Sequence, residues 1–194
     1  MAVEKSKEKR DRREIVLDAA AIQFARRGYD ATTMRDIAKE CGILPGSLYY
    51  HFESKEEMFL AVHERAINYI VSGALLQMNP DADPWTRLCQ ASEGYLATML
   101  SRSTEASLII TEFPLRRNGK LRAKLIADRE RFENVFKDIV AELPLAPGVD
   151  RTYWRLALLG MLAWTYIWFN SKGDSPKVVA QNLINLLKER TASD

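Results

Sequence analysis

Cysteine is scarce in this chain, with two among 194 residues. Cys41 and Cys89 can build neither a disulfide framework nor a four-thiolate zinc site, and both are expected to be buried thiols. Histidine is as rare. His51 has no nucleophile or orienting carboxylate at a recognisable spacing, and His63 is expected in a partly exposed structural place. Leu48 and Leu60 stand three residues before them, so the Glu-x-x-His pairs of di-iron bundles are absent. Pro114 occupies the place where a phosphate loop ending at Gly119-Lys120 would need its first glycine. These absences predict no metal, no cofactor and no catalytic residue.

Glycine and proline number nine and seven and are spread out, which excludes collagen-like and low-complexity chains. The longest apolar stretch, 156–169, is interrupted by Thr165 and falls short of the roughly 20 residues a membrane span needs. A buried helix, and no membrane partner, is expected. Acidic and basic side chains nearly cancel, leaving a net charge of +2. Composition alone therefore does not announce a nucleic-acid binder. The N-terminus (Glu4, Lys5, Lys7, Glu8, Lys9, Arg10) is charged and has no apolar secretion core, so a reducing, cytoplasmic location is expected.

What the chain has is helix. Hydrophobic residues make up 47% and charged residues 28%, and strand alternation is nearly absent. The spacing predicts an all-α fold of about nine helices. The first spans 10–27, with Leu17, Ala20, Ala21 and Phe24 on one face and Gly28 as a left-handed cap. The second runs from an N-cap at Thr33, with Asp36 three residues on, to Cys41, where Gly42 stops it. The third, 45–52, has proline at its first position. A capping box at Ser54-Lys55-Glu56-Glu57 opens a fourth helix reaching 78. Further helices are expected at 84–100, 104–113, 119–143, 151–169 and 176–190. The Asn79-Pro80-Asp81-Ala82-Asp83 breaker is the clearest internal punctuation.

The second and third helices have the proportions of a helix-turn-helix. Ile37, Ala38, Ile43 and Leu48 can pack where they cross, with the first helix as a third wall. Leu48 and Phe52 turn inward. Pro45, Gly46, Ser47, Tyr49, Tyr50 and His51 then face outward. Hydroxyl and imidazole groups donate well to phosphate oxygens, and Gly46 would let the backbone approach a groove. Thr33 and Arg35 open the second helix, whose free N–H groups suit a phosphate. Residues 1–47 hold ten basic and eight acidic side chains. Within them, Lys5 to Arg13 carries six basic and two acidic ones. The electrostatic contribution is therefore placed in this arm, including Arg10 and Arg13.

At this point the sequence resembles the TetR family of transcriptional regulators. The matching stretch reads Val16-Leu17-Asp18-Ala19-Ala20, then Phe24-Ala25-Arg26-Arg27-Gly28-Tyr29, then Thr32-Thr33-Met34-Arg35-Asp36-Ile37-Ala38, and ends with Gly46-Ser47-Leu48-Tyr49-Tyr50-His51-Phe52-Glu53-Ser54-Lys55-Glu56. The resemblance implies an all-helical subunit, a homodimer, and an effector pocket in the C-terminal helices. It implies DNA contacts at Thr33 and Arg35, base approach at Pro45, Gly46 and Ser47, and phosphate contacts at Tyr49, Tyr50, His51 and Lys55. One departure is Leu44, where the family often has a polar residue; a side-chain N-cap is lost there.

The C-terminal part reads as a helical bundle. The expected eighth helix has no polar face, from Tyr153 and Trp154 through Phe169, so more than one side must be covered. One side suits the subunit core and the other a second subunit, with Ala157 and Gly160 allowing close contact. The ninth helix repeats this with Val178, Val179, Leu183, Ile184, Leu186 and Leu187. The resemblance implies the same pairing, a homodimer through the eighth and ninth helices. Tyr95, Met99, Phe113, Phe132, Phe136, Met161, Trp164, Thr165 and Trp168 are candidate walls of an effector pocket for a largely apolar ligand. The segment 163–169 is similar to that of regulators of fatty-acid, steroid or aromatic-acid breakdown, which implies an acyl-CoA thioester. Arg116, Arg117, Lys120 or Arg129 would then meet its acidic moiety.

The expected organisation is a DNA-binding domain at 1–55 and an effector-binding and dimerisation domain at 56–194. The expected function is a ligand-responsive repressor that binds a double-stranded, pseudo-palindromic operator as a homodimer. Two alternatives are a helical-bundle enzyme acting on a thioester or apolar substrate, for which no nucleophile–base pair is in sight, and a protein-only adaptor.

Overall fold

A computed structural model of the chain describes residues 2–101, 104, 108 and 119–191, with the backbone alone for 2–11, 120 and 190. Among the described residues there are eight helices and no strand: α1 (Ala2–Ala31), α2 (Met34–Cys41), α3 (Pro45–Leu48), α4 (Lys55–Leu76), α5 (Pro84–Ser101), α6 (Gly119–Glu142), α7 (Arg151–Trp168) and α8 (Pro176–Thr191). The helix expected at 104–113 lies outside the described residues except for Thr104 and Leu108, both helical. The expected eighth and ninth helices are α7 and α8. None of the described helices is long and apolar enough to cross a membrane.

The chain forms two compact units, Met1–Ala66 with Ser103–Ala127 and Ile67–Arg102 with Asp128–Asp194. In the first, α1 packs on α2 and α2 on α3. Leu17, Phe24, Ile37, Leu48, Phe52, Met58 and Phe59 are fully buried together, with Leu121 and Leu125 of α6. Each such side chain contributes about 1.5–3 kcal/mol on leaving water. Phe24, Tyr29 and Phe59 form an aromatic cluster, with the Phe24 and Phe59 centroids 5.1 Å apart. Arg65 on α4 bridges Glu14 (2.9 Å) and Asp18 (2.8 Å) on α1.

Several boundaries differ from the sequence reading. α1 begins at Ala2, so the basic segment is helical, and it resumes after Gly28 to reach Ala31. Gly28 has φ 76° and ψ 165°, an extended glycine kink rather than the left-handed cap expected. The Thr32 hydroxyl donates to its carbonyl at 2.7 Å. α3 stops at Leu48, and a turn carries Tyr49 to His51 before the buried Phe52. Ile43, expected at the crossing of α2 and α3, is instead exposed. His63 is buried rather than partly exposed, and the two thiols are half-buried. Burial pushes both thiols above their ordinary pKa. The box at Ser54 is offset. Ser54 accepts from the Glu57 amide at 3.1 Å, while the Glu57 carboxylate reaches the Glu53 amide at 2.7 Å.

In the second unit α5 lies along α8, and α7 packs against both. Asp83 caps α5 through the amides of Trp85 (3.0 Å) and Thr86 (3.2 Å). Asp150 caps α7 through those of Thr152 and Tyr153. Arg151 donates to the Val140 (2.5 Å) and Leu143 (2.9 Å) carbonyls at the end of α6. The Trp154 indole donates to the Thr191 hydroxyl at 2.9 Å, tying α7 to α8.

Candidate nucleic-acid interface

α2 is fixed at its start by a reciprocal capping box. The Thr33 hydroxyl accepts from the Asp36 amide at 3.2 Å, and the Asp36 carboxylate accepts from the Thr33 amide at 2.9 Å. The Thr33 hydroxyl also donates to that carboxylate at 2.6 Å. These bonds hold the Asp36 carboxyl below the usual carboxylate range, with Arg27 at 2.8 Å reinforcing them. Gly42 ends α2 at φ 68° and ψ 29°, the left-handed conformation in which a Cβ would be strained. Its amide bonds back to Ala38 and Lys39. The turn is thereby set, and α3 starts at Pro45 with no side-chain cap from Leu44.

The buried Leu48 and Phe52 anchor α3, and Leu44, Pro45, Gly46, Tyr49 and Tyr50 around them are exposed. Pro45 and Gly46 are exposed and Ser47 is half-buried. Tyr49 and His51 flank Tyr50, which is 84% exposed, while His51 is half-buried. Thr33 and Arg35 are exposed at the start of α2. Nothing meets a Cβ built on Gly46 within 4 Å. The arrangement is a short apolar-tipped helix with phenols beside it, the shape and chemistry needed to touch sugar–phosphate oxygens while the helix start lies in a groove.

Two basic residues make contacts that spacing did not show. Lys55 does not point outward. Its ammonium donates to the carbonyls of Tyr29 (2.8 Å), Thr32 (2.9 Å) and Asp30 (3.4 Å) and stands 4.4 Å from the Tyr29 ring centroid. All three of its donors are thereby engaged. It holds the end of α1 where α2 begins. Arg13 is exposed, yet its guanidinium lies 4.8 Å from the Phe52 ring centroid, so a stack on the α3 anchor positions it. Arg10 lies in α1, where only the backbone is described.

The candidate effector residues divide. Tyr95, Phe132 and Phe136 pack on one another, with Tyr95 and Phe132 stacked at 5.1 Å and Phe136 edge-on to both. Burial pushes the Tyr95 phenol far above its ordinary pKa. Met99 is buried, Met161 is half-buried, and the buried Thr165 donates to the Met161 carbonyl at 3.1 Å. Trp164 and Trp168 stand apart from this group. They stand on the outer face of α7 with Tyr153, Leu156 and Ile167, and Trp164 is 63% exposed. Trp164 stands about 100° round the helix from the buried Thr165. Phe113, Arg116 and Arg117 lie outside the described residues, as does the Lys120 side chain. Arg129 is held by Glu133 at 2.7 Å. Burial alone would raise the Glu133 pKa, but hydrogen bonds from Arg155 and Arg129 hold it low.

Comparison with known proteins decides what this architecture belongs to. Residues 16–62 match the family model described as bacterial regulatory proteins of the tetR family, and residues 81–190 match a tetracyclin repressor-like C-terminal domain. The chain belongs to the TetR family. Its members are regulatory proteins, not enzymes.

Among TetR relatives, the HTH-type transcriptional repressor KstR2 of Rhodococcus jostii is 62% identical over 50 residues, which is 26% of this chain and 24% of that protein. The match thus spans about a quarter of the curated relative's length. Two solved structures share the fold. One is AibR in complex with isovaleryl coenzyme A and operator DNA, with a TM-score of 0.78 and 24% identity over 90% of this chain and 97% of that one. The other is FadR from Bacillus subtilis in complex with stearoyl-CoA, with a TM-score of 0.73 and 20% identity over 90% and 96%.

Two contributions to this TetR-type head were missed in the sequence. The inward turn of Lys55 onto carbonyls 23 to 26 residues away left no local signal. The Arg13–Phe52 stack joins residues too far apart for a local pattern to register.

Proposed function

We propose that this chain is a cytoplasmic, ligand-responsive transcriptional regulator, most simply a repressor, that binds a pseudo-palindromic duplex as a homodimer. Residues 1–55 read DNA, and 56–194 bind the effector and form the dimer. The observation that carries this reading is the outward presentation of α3, anchored from beneath by Leu48 and Phe52 with Tyr49 and Tyr50 exposed. In this reading Pro45, Gly46 and Ser47 approach base edges. Thr33, Arg35, Tyr49, Tyr50 and His51 hold the backbone, and Arg10 and Arg13 add positive potential. Two such heads enter successive major grooves about 34–36 Å apart.

Dimerisation is supported by the outer stripe of α7. Tyr153, Leu156, Trp164, Ile167 and Trp168 are exposed at helical spacing, and Val178 and Leu186 continue the apolar surface on α8. An apolar patch of this kind on a monomer calls for a partner. Gly160 lies open, with nothing near a Cβ built there, so a second backbone can approach.

The effector is a largely apolar small molecule of the acyl-CoA thioester class, as bound by AibR and FadR. Tyr95, Met99, Phe132, Phe136, Met161 and Thr165 are its proposed surroundings. On α5, Ser92 shares a face with Tyr95 and Met99, and its buried hydroxyl has no partner among the described residues. Such an orphan costs about 1–3 kcal/mol, which a ligand acceptor would relieve.

A gel shift with the DNA flanking its own gene tests the reading. Retardation that isovaleryl- or stearoyl-CoA alters supports it. Retardation indifferent to both, with no thermal shift, removes the thioester class. No retardation at all removes the regulator.

A further inference from the structure

Leu44 is a large apolar residue with 77% of its surface exposed, yet it is not free to wander. It is extended (φ −69°, ψ 141°), the conformation that a following proline enforces, and its carbonyl accepts the Ser47 amide at 2.9 Å. A residue at this place ordinarily bears a hydroxyl, carboxyl or amide that caps the helix. Leu44 makes no such bond, so neither capping nor packing accounts for it. The next two residues, Pro45 and Gly46, are also exposed and carry no hydrogen-bonding side chain. The tip of α3 therefore offers a partner carbon from three consecutive residues, with Ser47 behind them as the first hydroxyl.

This edge limits what can be read in a duplex. The major-groove face of a base pair consists of donors and acceptors plus one apolar group, the C5 methyl of thymine. A leucine pressed on a donor or acceptor removes its water and returns no bond. Pressed on a methyl, both surfaces gain by leaving water. Resting on the groove-reading orientation of α3 proposed above, we propose that Leu44 is a specificity-determining residue that reads a thymine methyl in each half-site.

The test uses duplexes selected from a random library by the purified full chain. In a selected duplex each thymine is replaced in turn by uracil, which lacks the methyl alone. Binding is followed by fluorescence anisotropy for the native chain, Leu44→Ala and Leu44→Gln. At one thymine per half-site, uracil is expected to weaken the native chain about fourfold, the worth of one buried methyl-sized group. Both variants bind thymine and uracil duplexes equally there, and their own selections lose the preference at that position. The exposed side chain can be changed without loss of fold, which a thermal melt checks, and Leu44→Gln preserves bulk if Leu44→Ala melts early. A uracil penalty equal in native and variant chains, or no penalised thymine, overturns the proposal. So does a variant whose only change is in the sedimentation of the free chain, which would make Leu44 a protein contact. If the native chain selects no duplex, the regulator reading fails first and this inference with it.

Discussion

A β-carbon on Gly94 would stand 2.1 Å from the carbonyl oxygen of Gly73. Two helix backbones, α4 and α5, thus meet at a point where neither has room for a side chain. Gly94→Ala must push backbone against backbone. Its cost is expected at the top of the roughly 1–3 kcal/mol range for overpacking, lowering Tm by several degrees. Gly46→Ala is the contrast. With open space around it, stability is unchanged or slightly raised, while duplex binding falls because the new methyl occupies the groove. Urea melts and anisotropy on the two variants separate packing from recognition.

Lys55 gives a sharper separation. A phosphate contact and a structural lock both predict weaker DNA binding for Lys55→Met, but only the lock predicts a lower melting temperature. A lost phosphate contact also reduces the slope of log affinity against log salt by about 0.9. The expected result is a destabilised protein with an unchanged slope, because the ammonium is spent on the Tyr29, Asp30 and Thr32 carbonyls.

These two cases show what the sequence made legible. Helix existence, the α2–α3 turn and the capping of Thr33 follow from local chemistry, and each was readable from a few adjacent residues. The outward face of α3 was readable because Leu48 and Phe52 share a period. Long-range choices were not. Lys55 could bond outward or to carbonyls 23 to 26 residues away, and spacing does not distinguish them. The exposure of Trp164 and Trp168 was not legible, because an all-apolar helix hides which side is core. Gly28 announced a break, but its extended ψ depends on what the next turn packs against.

Acid should weaken the head through Asp36. Its carboxyl is lower in pKa in the fold than in the unfolded chain. The stability it lends is therefore complete above the unfolded value of about 3.9 and is lost as pH falls through the folded value. Asp36→Asn is less stable than the native chain at pH 7, and the difference shrinks as both are taken well below pH 4. Denaturant melts at the two extremes check this. A gap that widens in acid would give the shift the wrong sign.

Charge placed on the outer stripe of α7 should disperse the subunits. Ile167→Glu and Trp164→Glu put a carboxylate where an apolar partner surface is proposed, so sedimentation is expected to show monomers at concentrations where the native chain is dimeric. The far-ultraviolet spectrum stays the same. Duplex affinity falls by orders of magnitude, since one head alone makes half the contacts.

Footprinting of the native chain on a duplex it selects tests the account most directly, with Tyr50→Ala run beside it. The account predicts two protected half-sites related by a two-fold axis and separated by about one helical turn, 10–10.5 base pairs. It also predicts that protection at both fades together in the tyrosine variant. Protection of a single unsymmetrical stretch, or protection indifferent to the loss of Tyr50, would contradict it.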